Sequence, residues 1–476
     1  MHSSADEHAG AAAGQYLEAT MKTFSVGLRC LFCGIIAFLV FAVAGNAAGG
    51  EKLVLDLPRL IGMAIEKSPE IAATQSEITG AKSELAQADA AYYPQVDTTV
   101  LAGPVENTKR PAIAGTRITD PTDGTSIGAF GRADMTLTQP LYTFGKISNR
   151  REAAARGVAA REAKLLQKRG EIALRIKELY YGLVLSRAGV EAMRDTSGYF
   201  DDVRRRIDRL LKLGSQNVME SDLYRIDIYS ADTVRSQAAA EEGMKTVYFA
   251  LKSMVRLPAD VDFDPADKML TAGGRRLDEL QDYINRALSG RPEFKQLSQA
   301  IMAQKASMEG AISDRYPSFF AALVGSVAGA PGREKFDNPY MPDQFNHVNG
   351  GIVGGMKWHF DFGILSARVE KERADYEKLL HTKATAELGI PIEVAKRYHE
   401  VREWQAAVNA YKQVVLSSRK WIVAALADFD MGVGTADDLL RSIERYGQNQ
   451  EKYLEALFNY NMSLARLEYA TGEDER

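Results

Sequence analysis

The chain carries one plan twice. Ser68-Pro69-Glu70-Ile71 corresponds to Arg291-Pro292-Glu293-Phe294, and Tyr93-Pro94 to Tyr316-Pro317, both at an offset of 223 residues. Further along, Thr143-Phe144-Gly145 corresponds to Asp361-Phe362-Gly363, and Lys212-Leu213-Gly214 to Asp430-Met431-Gly432, at an offset of 218. In each copy 69 residues separate the two glycines, and only the middle differs, by five residues, as a surface loop tolerates. The copies are read as a first repeat over 48–270 and a second over 271–472.

Each copy decodes as helix, two strands, long helix, turn, helix. Leu57, Leu60, Ile61, Ala64 and Ile65, then Ile71, Ile78, Ala81 and Leu85, keep helical spacing and predict a helix over 55–92 that stops before Pro94. The period then shortens to two. Val96, Thr98 and Val100 alternate, as do Ile127 and Ala129, then Met135 and Leu137, around a polar insert, which predicts a hairpin over about 95–140. The second copy repeats this with a helix over 277–315 and strands over about 318–361, through Phe319, Ala321, Leu323, Gly325 and Val327, then Ile352, Gly354 and Met356. Strands of about ten residues are long enough to cross a bilayer when tilted. Tyr92, Tyr93, Tyr142, Tyr316, Phe319, Phe320, Trp358 and Phe360 cluster at or within the strands, which fits an aromatic girdle at a bilayer boundary, although aromatics also favour ordinary strands.

Between Gly145 and Gly214 there is no proline, and the apolar residues recur every seven. The seams Ile172, Leu179, Ser186, Met193, Phe200, Ile207 and Ile176, Leu183, Val190, Ser197, Arg204, Leu211 are apolar at nine of twelve positions, a coiled-coil pattern over a helix of 145–213. At 1.5 Å per residue such a helix is roughly 100 Å long. The matching helix over 363–431 contains Gly389 and Pro391, which predict a fault near residue 390. Each long helix ends at a glycine, followed by a return helix over 217–256 or 435–471. Asn217 and Thr435 stand where N-caps belong, with Glu220 and Asp438 three residues on to complete a capping box.

At the front, Lys22 and Arg29, an apolar run from Leu31 to Ala44 and Gly45-Asn46-Ala47 have the order of a secretory signal peptide. The signal is placed at 21–47, after an upstream extension over 1–20, with a mature start near Ala48. Both cysteines, Cys30 and Cys33, fall inside it, which leaves the exported chain no disulfide or thiolate chemistry. No apolar run of 18 residues follows, so membrane entry requires strands. Lys and Arg total 59 against 63 Asp and Glu, a balance that gives no basic field to gather nucleic acid.

The opening A-I-E-K-S-P-E-I, the strand exit T-Q-P-L-Y-T-F-G-K, the tip M-G-V-G-T-A-D-D-L-L and the duplication over 53–472 resemble the TolC-like outer-membrane efflux proteins. The resemblance implies an α+β membrane protein: a long α-helical coiled-coil barrel joined to a transmembrane β-barrel, four strands per protomer, closed as a trimer in outer-membrane lipid. It implies a passive exit duct of a tripartite efflux or type I secretion system. Its partners would be two more copies of itself, a periplasmic adaptor (membrane fusion) protein and an inner-membrane pump of the proton-driven or ATP-driven class. Carried over by position, the adaptor-contact tips are Leu213, Gly214, Ser215, Gly432, Val433, Gly434 and Thr435. The periplasmic gate falls on Asp438, with Asp437 beside it and Glu220 at the first tip; the second acidic position of the gate is Arg441 here, spaced to pair with either acid.

The alternative is a periplasmic coiled-coil adaptor, which shares the signal peptide, long helices and tight tip but lacks paired hairpins of membrane length. No catalytic, cofactor or metal pattern emerges. His347, His359, His381 and His399 include no i, i+4 pair, His399-Glu400 stands alone on a helical stretch, and no glycine loop with Lys-Ser/Thr occurs to cradle phosphate. Nothing in the sequence discloses the cargo.

Overall fold

The computed structural model describes residues 53–107, 126–272, 276–335 and 339–473, and the backbone of 113–114 and 117–118. The expected extension, the signal peptide with its cysteines and most of the insert between the first two strands lie outside the described residues. The chain divides into two units, 1–53 with 259–264 and 54–258 with 265–476. In the first, the Leu53 N–H donates to the Asp262 carbonyl at 3.1 Å. The second holds the helices and the main sheet.

Where one helix was expected over 55–92 there are two, α1 (Leu57–Lys67) and α2 (Pro69–Ala90). Proline disfavours helical geometry at the residue before it, so Ser68 turns extended (ψ 125°), and its hydroxyl caps α2 through the Ile71 N–H. The second copy breaks in the same way, into α5 (Leu280–Gly290) and α6 (Pro292–Ser313) on either side of an extended Arg291. Arg291 is buried there, its guanidinium 2.7 Å from Glu393 and 3.1 Å from Glu293. Burial alone would lower its pKa, but the bonds to Glu393 and Glu293 outweigh that and hold it above the ordinary value.

The long helices α3 (Lys146–Lys212) and α7 (Ile364–Asp430) return through α4 (Glu220–Met254) and α8 (Ala436–Thr471). The heptad seam of α3 is its buried stripe: Ile172, Ile176, Leu183, Val190, Met193, Phe200 and Ile207 are all buried. α3 lies against α2, α4, α6 and α8, whereas α7 lies against α5, α6 and α8. Between Ile364 and Gly389, α7 buries only Val369. At the fault expected near residue 390, α7 stays one helix through Pro391, and the proline has no N–H to offer the Glu387 carbonyl, so one intrahelical bond is missing there.

The main sheet is antiparallel throughout, in the order β2 (Gln95–Glu106), β5 (Ile127–Tyr142), β7 (Ser318–Gly329), β8 (His347–Lys357). Three shorter strands, β1 (Leu53–Leu55), β3 (Ile113–Ala114) with β4 (Arg117–Ile118), and β6 (Phe263–Pro265), stand outside it. Register sorts the side chains of the main sheet, because residues opposite one another share a face. Val96, Leu137, Leu323 and Ile352 form one row across all four strands, and Val100, Ala133, Val327 and Val348 another on the same face. The opposite face carries the row Thr99, Asp134, Ser326, Asn349 and the row Leu101, Arg132, Ala328, His347. The apolar face is open: Val100 is 71% exposed and Ile352 82%. Neither outer strand, β2 or β8, has a second neighbour among the described residues.

Candidate functional site

The site is the end of the helical hairpins farthest along the chain from the sheet. Both long helices stop by the same device. Leu210 and Leu211 accept from the Ser215 and Gly214 N–H groups at 3.0 Å, and Asp428 and Phe429 accept from Val433 and Gly432 at 3.0 and 3.1 Å. These paired bonds are Schellman turns, and they require a left-handed residue, supplied by Gly214 (φ 69°) and Gly432 (φ 77°). Gly434 is held for another reason: a Cβ there would lie 3.0 Å or less from Asp428 and Phe429 backbone and side-chain atoms.

Thr435 caps α8 as expected from its position, its hydroxyl accepting from the Asp438 N–H at 3.2 Å. Asn217 does not cap α4. The helix starts two residues later, from an extended Met219 whose N–H donates to the Asp222 carboxylate at 2.9 Å, so Asp222 and not Glu220 reaches back. The cause is Val218, which is buried in the tip core and pulls the chain on before the helix begins. Asn217 instead crosses to the second tip, with Nδ2 2.7 Å from where a Cβ of Gly432 would stand. Glu220 is exposed at the first turn of α4, where its charge complements the helix dipole.

The tips share one core, in which Phe200, Ile207, Ile226, Ile422, Phe429, Leu439 and Ile443 from four helices are buried together with Val218 of the first turn. Burial of each such side chain contributes about 1.5–3 kcal/mol, enough to hold the bundle end together without ion pairs. Ion pairs nonetheless cross it: Arg206 of α3 reaches both oxygens of Asp430 on α7 at 2.6 Å, and Arg204 pairs with Asp227 of α4.

Of the expected acids, Asp437 is the engaged one. Arg441 pairs with it at 2.6 Å rather than with Asp438, and Tyr229 of α4 donates its hydroxyl to the other oxygen at 3.2 Å. A hydrogen bond between Arg441 and the Tyr229 hydroxyl first, and the Asp437 charge second, raise the Arg441 pKa. Asp438 is exposed beyond the cap. The tip presents Leu213 and Val433 to solvent, 81% and 76% exposed, together with Met219 and Met431. Sequence reasoning missed Tyr229 and the two methionines: Tyr229 lies 208 residues from Asp437, and Met219 has the same residue type as any core methionine.

Elsewhere the polar sheet face brings together Ser326, Asp134 and His347. The Ser326 hydroxyl donates to Asp134 at 2.7 Å and lies 2.8 Å from His347 Nε2, while His347 Nδ1 faces the Asp343 carbonyl at 2.8 Å. The serine proton is thus committed to Asp134, and no carboxylate orients the imidazole, unlike a nucleophilic triad. Glu400 pairs with Arg397 at 3.0 Å rather than with His399. Among the described residues no group of three or more His, Cys, Asp or Glu side chains is placed to hold a metal, and no helix is long and apolar enough to cross a membrane.

Comparison with known proteins adds the following. A family model described as "Outer membrane efflux protein" matches residues 60–244 and 283–473, one stretch in each repeat. The alkaline protease secretion protein AprF of Pseudomonas aeruginosa is 20% identical over 345 residues, covering 71% of this chain and 69% of that protein. The outer membrane protein VceC of Vibrio cholerae superposes with a TM-score of 0.70 at 18% identity, covering 87% of this chain and 96% of that one. CusC, solved in work on folding and transmembrane channel formation, gives a TM-score of 0.72 at 15% identity over 90% and 95% of the two chains. At these identities the superpositions show a shared fold.

Proposed function

The chain belongs to the outer membrane efflux protein family, and on that premise we propose that three copies close their four-stranded sheets into one barrel in the outer membrane while their helices enclose a periplasmic duct. The observation that carries this reading is the sheet with one exposed apolar face and one polar face. In water an open apolar face of this extent is a liability, and in lipid it is the surface a barrel requires. Two strands without outer neighbours cannot remain so in hydrocarbon, where every backbone N–H and C=O needs a partner, so closure calls for further copies. The second copy of the plan, with its own hairpin, is what a helical adaptor lacks.

At the other end, exposed Leu213, Met219, Met431 and Val433 offer an apolar rim to a periplasmic adaptor, and an inner-membrane pump supplies the energy, since this chain carries no phosphate-binding loop. Three copies of Asp438 narrow the entrance and favour cations. The Tyr229–Asp437–Arg441 contact holds α8 against α4 in the closed state, and separation of those helices opens the duct.

The test is a pair of substitutions on β8. Ile352→Arg, on the apolar face, costs about 2–4 kcal/mol near the bilayer midplane and depletes assembled protein from the outer membrane. Asn349→Arg, on the polar face, leaves assembly intact and shifts ion selectivity in planar bilayers. Equal tolerance of both changes would overturn the barrel assignment.

A further inference from the structure

At the end of the sheet remote from the helices, the turn 343–346 between β7 and β8 lies over the polar face. Phe345 meets Phe130 of β5 edge-on, ring centroids 5.5 Å apart, and the Arg333 guanidinium stands 4.0 Å from the Phe345 centroid. Phe130 precedes Arg132 by two residues and so shares its face. The Asn346 side chain accepts from the Ala330 N–H at 2.8 Å, and Ala328 and Ala330 are buried there although most of the sheet is open. The Asp343 carboxylate accepts from the N–H groups of Phe345 and Asn346 at 2.9 and 3.1 Å, which fixes the shape of the turn.

The turn holds His347, the first residue of β8, between two acceptors. Nδ1 lies 2.8 Å from the Asp343 carbonyl oxygen, which has no proton to give, so Nδ1 carries one. Nε2 lies 2.8 Å from the Ser326 hydroxyl, whose single proton goes to Asp134 at 2.7 Å, the length of a charge-assisted bond. Nε2 therefore faces a lone pair and carries a proton as well. A ring protonated at both nitrogens is an imidazolium. A neutral ring would take the serine proton for itself and leave Asp134 with Arg132 alone, 2.8 Å away.

We infer that His347 is a specificity-determining residue: held as an imidazolium, it gives the outer mouth of the duct a positive charge that loss of its proton removes. This inference rests on the channel reading, in which the polar face lines the water path. The charged groups around the ring are Arg132 and Asp134 of β5, with Asp343 of the turn and Arg333 packed on it; β2 places only Leu101 and Thr99 in the same rows. Two arginines and the imidazolium against two carboxylates leave one net positive charge per copy, and none once the ring is neutral. Asp438 stands at the opposite end of the duct with the opposite sign. In acid the two ends therefore favour opposite ions, and the outer one loses its preference as pH rises through the range in which histidine changes charge, about 5–8.

The test is the potassium-to-chloride permeability ratio of single channels in planar bilayers, read from reversal potentials in a potassium chloride gradient at about pH 5 and pH 8. The wild-type ratio rises roughly twofold or more from the lower pH to the higher. His347→Gln, neutral throughout, shows the higher ratio at both pH values, and His347→Lys, charged throughout, keeps the lower one. A second arm needs no channel activity: in full-length protein carrying ring-15N histidine, the nitrogen signals absent from His347→Gln show two protonated nitrogens at about pH 5 and one at about pH 8. A bare ring nitrogen at the lower pH overturns the inference. So do channels whose ratio ignores pH, or a His347→Gln channel that responds to pH as wild type does, and either result leaves the channel reading standing. Wild-type protein that forms no channels overturns both.

Discussion

Tyr229→Phe removes one hydroxyl and nothing else from the contact that ties α4 to α8. The bond is 3.2 Å long and part-buried, so its net worth is near the ordinary figure for a protein hydrogen bond, about 1 kcal/mol. Since 1.4 kcal/mol is a factor of ten, the closed tip loses about fivefold in population per protomer. If the three tips of the proposed assembly part together, the factors multiply to on the order of a hundredfold. Single-channel recording in planar bilayers reads this directly: the variant spends far more time in the higher-conductance state, at an unchanged maximal conductance. Tyr224→Phe is the control, since Tyr224 stands on the same helix and is 66% exposed. A Tyr229→Phe channel with wild-type closed dwell times would show that Asp437 and Tyr229 are only structural neighbours and that the gate lies elsewhere.

Three further outcomes are expected. Arg291→Met leaves Glu293 and Glu393 without their cation; loss of one partner from a fully buried pair costs about 3–5 kcal/mol, but these carboxylates are 28% and 38% exposed, so about 2 kcal/mol is expected in denaturant unfolding, with Glu393→Gln adding little in that background. Tyr180 is wholly buried, and burial, with the Asp267 carboxylate beside its hydroxyl, pushes its pKa up to about 12. The neutral phenol therefore contributes stability that is complete below pH 10 and lost as pH rises from 10 to about 12, and alkaline melting curves of Tyr180→Phe fall less steeply across that window than those of wild type. Asp438→Ala widens the entrance and lowers cation selectivity; conductance and selectivity equal to wild type would remove Asp438 from the gate.

Much of the architecture was legible because it depends on local rules. The seam from Ile172 to Ile207 is buried because a seven-residue repeat on a helix can face only one way, and Gly214 and Gly432 end their helices because left-handed φ angles are cheap for glycine alone. The alternation Val96, Thr98, Val100 marked the apolar face before any register was known. Misreadings arose where distant residues decide. Asn217 has the chemistry of a cap, but burial of Val218 moves the helix start to Glu220 and gives the role to Asp222. Pro391 was read as a fault; α7 continues through it with one backbone donor fewer, packed against α5, α6 and α8. Ser68-Pro69 and Arg291-Pro292 marked the repeat and were also, unread, the boundaries between paired helices. The union of Tyr229 with Asp437 depends on the pairing of α4 with α8, which no local pattern announces.

The bare outer strands of the sheet bear on how the protein matures. A lone chain in the periplasm exposes two strands ready to accept any passing extended segment, beside greasy side chains meant for hydrocarbon. In the proposed assembly, its lifetime in that form must be short or chaperoned, and the rate at which copies find one another competes with misdirected clumping. Overproduction therefore tips the contest toward precipitate long before the finished duct itself is any less stable.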